Sequence, residues 1–145
     1  MHQLVLLALG FLLIAFQPTV GSAVRQPNRS LIDLKKFHVE IRNMMEMYIL
    51  DSHCRSKDDD LGLHILLPGE KQRWSFRTNI WETTLFHCTL KWERGFREFK
   101  AFYFDDAFFS VFCPDRECVW LAEQGGLSMV NRAGEHILRY RWNSL

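Results

Sequence analysis

Apolar and polar positions alternate along most of this chain from residue 37 onward, and that period of two assigns its structure. Phe37, Val39 and Ile41 interleave with His38, Glu40 and Arg42, which puts three apolar side chains on one face of a strand. Residues 45–54 read as a second strand and residues 63–67 as a third, closed by the turn signal Pro68-Gly69-Glu70-Lys71. Trp74, Phe76 and Thr78 alternate with Arg73, Ser75 and Arg77, with the aromatic face inward. Phe86, Cys88, Leu90 and Trp92 share one face of a longer strand over residues 84–92, so Cys88 faces the core. Glu93-Arg94-Gly95 turns the chain into a strand over residues 99–104, which Asp105-Asp106 breaks. Residues 108–113 and 118–123 read as a hairpin across Pro114, Asp115, Arg116 and Glu117. Gly125-Gly126 and Arg132-Ala133-Gly134-Glu135 flank two last short strands, at 128–130 and 137–142. Turn signals roughly ten residues apart predict an all-β fold: a small antiparallel β-sandwich of about eight strands.

The stretch His53-Cys54-Arg55-Ser56-Lys57-Asp58-Asp59-Asp60-Leu61-Gly62 joins the second strand to the third. Three successive Asp beside Lys57 and Arg55 carry a large desolvation penalty if buried. Asp and Gly supply the side-chain bonds and permissive angles that a turn needs, so this connection belongs at the surface.

Composition narrows the class without naming a partner. The 145 residues suit one domain, and 12 Phe and 5 Trp favour half-buried pleated surfaces. A formal net charge of +1, with a pI near 7.7, gives no long-range field for nucleic acid or an anionic membrane. The apolar run 4–16 is shorter than the roughly 20 residues of a membrane-spanning helix, and Gly21-Ser22-Ala23 supplies small residues for cleavage. The expectation is a secretory signal peptide over 1–23, a flexible arm over 24–35, an extracellular domain over 36–145 and no direct insertion into a membrane. Asn28-Arg29-Ser30 is a glycosylation sequon just past the cleavage point.

All four cysteines, Cys54, Cys88, Cys113 and Cys118, fall in the mature part, and an even count in a small secreted chain predicts two disulfides. Three pairings are possible. A Cys113–Cys118 bond is geometrically easy across the expected hairpin, and if it forms, Cys54 must pair with Cys88. The longer loop, of about 35 residues, then contributes on the order of 4 kcal/mol in the chain-entropy model and the short one about 2.

Candidate chemistry is sparse. His53-Cys54 and His87-Cys88 invite a zinc site, but adjacent strand residues point to opposite faces and an oxidising compartment favours disulfides, so no metal is expected. Asp58-Asp59-Asp60 lacks the spacing of a calcium loop and reads as a solvated turn with one Asp bonded to local amides. His38, His64 and His136 are isolated and no Ser sits in a nucleophile elbow; no catalytic residue, no cofactor and no enzymatic activity are expected. Trp74, Phe76, Phe86, Trp92 and Trp120 read as core.

The segment from His53 to Gly62, Phe76 and Trp81, Thr84-Leu85-Phe86-His87-Cys88 with Trp92, Phe104-Asp105-Asp106, and Cys113 with Cys118-Val119-Trp120 together resemble the plant self-incompatibility proteins, or S-protein homologues. The resemblance runs from about residue 37 to 142, and Ser-Lys-Asp-Asp-Asp-Leu-Gly is its specific part. It implies a small secreted β-sandwich with two disulfides and, for founding members, a stigma-secreted ligand recognised by pollen. The expected function is therefore an extracellular signalling or recognition protein for a membrane receptor on another cell, acting as a monomer. An extracellular module binding cell-wall carbohydrate is the alternative. Rigid strands with charged loops lose little entropy on binding. The expected partner-binding residues are Arg55, Lys57, Asp58, Asp59 and Asp60, then Asp115, Arg116 and Glu117, with loops 68–73 and 94–97 beside them.

Overall fold

The computed structural model describes residues 36–79 and 81–145; the expected signal peptide, the arm and the Asn28 sequon lie outside the described residues. Among the described residues nine strands form two sheets: β1 (Lys36–Asn43), β2 (Leu50–Arg55), β3 (Asp60–Leu66), β4 (Lys71–Arg77), β5 (Phe86–Trp92), β6 (Gly95–Phe102), β7 (Glu117–Glu123), β8 (Gly126–Val130) and β9 (His136–Tyr140). The larger sheet runs β4-β1-β7-β8-β9 and the smaller β3-β2-β5-β6. The all-β, two-disulfide sandwich is present. All neighbouring strands pair antiparallel except β1 and β7, which run parallel.

The inner faces carry the residues that the alternation assigns to them. Val39 and Ile41 of β1, Leu50 of β2, Leu90 of β5, Trp120 of β7 and Met129 of β8 are buried. Aromatic rings join the sheets, with Phe99 against Trp120 at 4.7 Å and Phe76 against Phe86 at 4.6 Å between centroids. Such offset and edge-on pairs add about 1 kcal/mol each to the area they bury. Ser52 and Gln72, both buried, satisfy each other across the sheets at 2.7 Å.

Three expectations change. The apolar run at 108–113 is not a strand but the helix α1 (Asp106–Phe112). Asp105, a strand breaker by composition, caps it: its carboxylate accepts the Phe108 N–H at 2.6 Å. The four-residue spacing then turns Phe108 and Phe112 inward together, and Phe109 packs on Phe37 and Phe102. Cys113 and Cys118 are consequently joined across a 3₁₀ turn (Pro114–Arg116) rather than a hairpin loop. The second strand begins at Leu50 instead of residue 45, because the Asn43 side chain ties the intervening loop into a non-strand path.

Candidate recognition site

Strand direction sorts the loops into two groups. β2 enters the 56–59 turn where β4 ends and β5 begins, and α1 with the 3₁₀ turn precedes β7 at this same end. The 44–49 loop, the 67–70 turn and the β5–β6 connection lie at the opposite end. The four expected binding loops are thus divided: 55–60 and 114–117 at one end, 68–73 and 94–97 at the other.

At the first end a cleft of about 600 Å³ opens between two loops, the 56–59 turn and the 78–85 connection. Arg55, Lys57, Arg77 and His87 bring basic groups to it, Asp58 and Asp59 acids, and Phe76, Leu85 and Phe86 an apolar floor. Its two sides are held by a covalent link. Cys54 and Cys88 are directly opposed on β2 and β5 and bonded, and the next pair in register is Arg55 with His87. The disulfide therefore sits one step below two of the side chains that line the cleft.

The turn itself behaves as its composition demands. Ser56 accepts the Asp59 N–H at 3.0 Å through its hydroxyl, and the Ser56 N–H bonds Asp59 O at 2.7 Å. Asp60 accepts the Gly62 N–H at 2.9 Å and contacts His53 Nε2 at 2.6 Å. The Gly62 amide first, and His53 second, hold the Asp60 carboxyl below its ordinary range. With those groups occupied, Lys57 and Asp58 project with no hydrogen bond or ion pair among the described residues. Their charge is free for a partner.

The other expected loops, Asp115 aside, spend their charges inside the molecule. Glu40, almost fully buried, is contacted by Arg42, Lys71 and Arg73. Burial raises its pKa, but these three cations outweigh burial and the net shift is downward. Arg73 reaches Glu117 at 2.8 Å, and His38 lies 4.0 Å from the same carboxylate. Glu117 is thus part of β7 and of a surface network rather than a free loop acid. Asp115 and Arg116 adopt left-handed backbone angles in the 3₁₀ turn. Arg94 lies over the Tyr48 ring and Arg97 over Tyr140.

The sequence reading missed the 78–85 connection. Asn79, Thr83 and Thr84 bond one another there, with the Asn79 side chain donating to Thr83 and accepting the Thr83 N–H, and Trp81 is 78% exposed. The available signal was a break in alternation after Thr78, in a stretch holding a Trp with no strand partner. All four cysteines are in disulfides, and among the described residues no group of three His, Cys, Asp or Glu is placed to hold a metal. No helix among them is long and apolar enough to cross a membrane.

Residues 38–142 match the plant self-incompatibility protein S1 family. The chain belongs to that family. It is 37% identical to S-protein homolog 74 of Arabidopsis thaliana over 93 residues, covering 63% of this chain and 61% of the relative. Against S-protein homolog 2 of the same plant it is 34% identical over 118 residues, 79% of this chain and 73% of the relative. It spans less than two thirds of the length of several of these relatives, including 60% of S-protein homolog 1. A solved self-incompatibility protein homologue shares the fold at a TM-score of 0.60 and 19% identity, over 77% of this chain and 97% of that one. That structure represents a widespread family of small, highly stable, secreted plant proteins. This chain shares that fold and is stapled by two disulfides of its own.

Proposed function

We propose that this S-protein homologue is an extracellular ligand that presents the cleft end of its sandwich to a receptor on the surface of another cell, and that it acts by binding, not catalysis. The carrying observation is the cleft itself: uncommitted charges at Lys57 and Asp58 stand beside the apolar floor of Leu85 and Phe86, on strands stapled by Cys54–Cys88. Mixed charge around an apolar centre suits discrimination between partners, because a wrong partner leaves charges unpaired. In this reading residues 1–23 direct secretion, cleavage leaves a chain beginning near Val24, and Asn28 carries a glycan on the arm.

The test is charge reversal at Arg55, Lys57, Asp58 and Asp59 together, read as binding of the labelled protein to protoplasts and as cell response. A loss of at least tenfold is expected. Unchanged binding and response would sink the proposal. A second reading has one observation in its favour: Trp81, exposed beside Asn79, Thr83 and Thr84, is a platform on which a sugar could stack. Glycan binding abolished by Trp81→Ala would favour a carbohydrate-binding module over a receptor ligand.

A further inference from the structure

Four strands end the two sheets, and three carry the charges that ordinarily keep sheet edges from pairing. β4 has Lys71, Arg73 and Arg77, β6 has Arg97 and Lys100, and β9 has His136 and Arg139. β3, reading Asp-Leu-Gly-Leu-His-Ile-Leu, has no Lys, Arg or Pro. Leu63 and Ile65 on it are 62% and 61% exposed, and Leu67 just beyond it 49%.

The backbone of this edge is open at a defined place. Opposed antiparallel residues whose Cα atoms lie near 4.5 Å are non-hydrogen-bonded pairs. Cys54 and Cys88 are 4.1 Å apart, so the Cys54 N–H and C=O point away from β5, toward β3. By alternation Ser52 and Leu50 do the same, and they oppose His64 and Leu66. Leu63 and Ile65 therefore aim their N–H and C=O groups away from the sheet. The groups on either side are occupied. The His64 ring contacts Leu61 O at 3.0 Å, while the Leu67 N–H bonds Glu70 Oε2 and Leu67 O accepts the Glu70 N–H, each at 2.9 Å.

We propose that β3 pairs antiparallel with β3 of a second copy about a two-fold axis at His64. In that register Leu63 faces Ile65 of the second copy and Ile65 faces its Leu63, so each free group of one edge meets its complement on the other in four hydrogen bonds. Shifting the axis by one residue toward Leu63 or Ile65 would instead call on Leu61 O or the Leu67 groups, which are already bonded. The same register lays the exposed apolar side chains of Leu63 and Ile65 on one face of a continuous eight-stranded sheet. A closed two-fold pairing of this kind stops at two copies.

Area sets the strength. The exposed parts of Leu63, Ile65 and Leu67 with the adjoining backbone offer a few hundred Å² per copy, on the order of half the roughly 800 Å² per partner of a stable complex. The dimer is accordingly of the weak, transient class. This revises the monomer expected from the sequence at high local concentration. It leaves the two clefts at opposite ends of the pair, giving a bivalent ligand. The inference stands independently of what the cleft binds.

Sedimentation velocity across a concentration series tests it, with near-ultraviolet circular dichroism confirming that each variant is folded. The expected result is a concentration-dependent dimer that Ile65→Lys weakens at least tenfold. His64→Cys tests the register: it places two thiols in a non-hydrogen-bonded pair, suited to a disulfide, and should give a covalent dimer on oxidation. Leu63→Cys should not, since its two copies lie diagonally about 7–8 Å apart. A wild-type protein that stays monomeric at several hundred micromolar, or cross-linking through Leu63→Cys and not His64→Cys, would overturn the proposal. So would a monomer whose edge takes up an extended peptide from another protein.

Discussion

The two ends of this sandwich are made of similar residues and are held in different ways. At the end away from the cleft, one buried side chain organises everything. Asn43 donates from Nδ2 to Tyr48 O at 2.7 Å and to Leu66 O at 2.9 Å, and its Oδ1 accepts the Met45 N–H at 3.0 Å. Its backbone takes the Gly69 N–H and gives to Glu70 O. Gly95 lies so close to Asn143 and Trp142 that a Cβ there would stand 2.8 Å from Asn143 O. At the cleft end the comparable side-chain bonds, from Asn79 to Thr83 and Thr84, are exposed rather than buried. Its turn satisfies itself through Ser56, Asp59 and Asp60, and its side chains point to solvent. The difference teaches that charges engaged inside the fold are not available to a partner, whereas those of Lys57 and Asp58 are.

Four perturbations should sharpen this contrast. The largest effect belongs to the link beneath the cleft. Replacing Cys54 and Cys88 together by Ala should cost about 4 kcal/mol, read as a fall in the denaturation midpoint, with loss of partner binding besides. Asn43→Ala should come next, at about 3 kcal/mol, since it leaves two carbonyls and one amide without their bonds. Its partner affinity, measured on the remaining folded protein, should not move. If Asn43→Ala abolished binding and the cysteine pair spared it, the contrast between the ends would be reversed.

Glu40→Gln should cost about 2 kcal/mol at neutral pH, by removing an almost buried carboxylate from three cations that can return to water. The pH dependence has a definite sign. A carboxyl whose pKa is lowered by folding stabilises the protein above its ordinary value of 4.5 and loses that contribution as pH falls through the lower folded value. Urea melts at pH 7 and at pH 3 should therefore show a smaller gap in the Gln variant than in the wild type. The smallest effect on stability is expected for Lys57→Glu, within about 0.5 kcal/mol, because the ammonium has no partner to lose. Its effect should appear in binding alone.

Much of this architecture was legible in the chain. Period-two alternation located β1, β4 and β5 and named their inward residues, because each packs one face against the other sheet. The Asp-rich turn followed from desolvation and from the backbone bonds that Asp and Ser make. Helix α1 was hidden by composition: three Phe and a Val within seven residues read as strand, and only the cap at Asp105 and the four-residue spacing of Phe108 and Phe112 distinguish the helix. The parallel pairing of β1 with β7 joins segments some 80 residues apart, and no local signal carries it. The apolar run on β3 reads as a strand without saying which face is covered, and its position at a sheet edge leaves Leu63 and Ile65 in solvent. For the site, the sequence supplied one wall of the cleft, in Arg55 to Asp59. It missed the other, since which loops share an end depends on strand direction and not on spacing.

The central claim is that partners meet the cleft end. Photocross-linking tests it most directly: a photoreactive amino acid is placed at Lys57 or Thr83 on one end, or at Met47 or Glu93 on the other, and the labelled protein is irradiated on intact protoplasts. Adducts with a membrane protein from the Lys57 and Thr83 positions, and none from Met47 and Glu93, are the predicted result. Adducts from the Met47 and Glu93 positions alone would contradict the account.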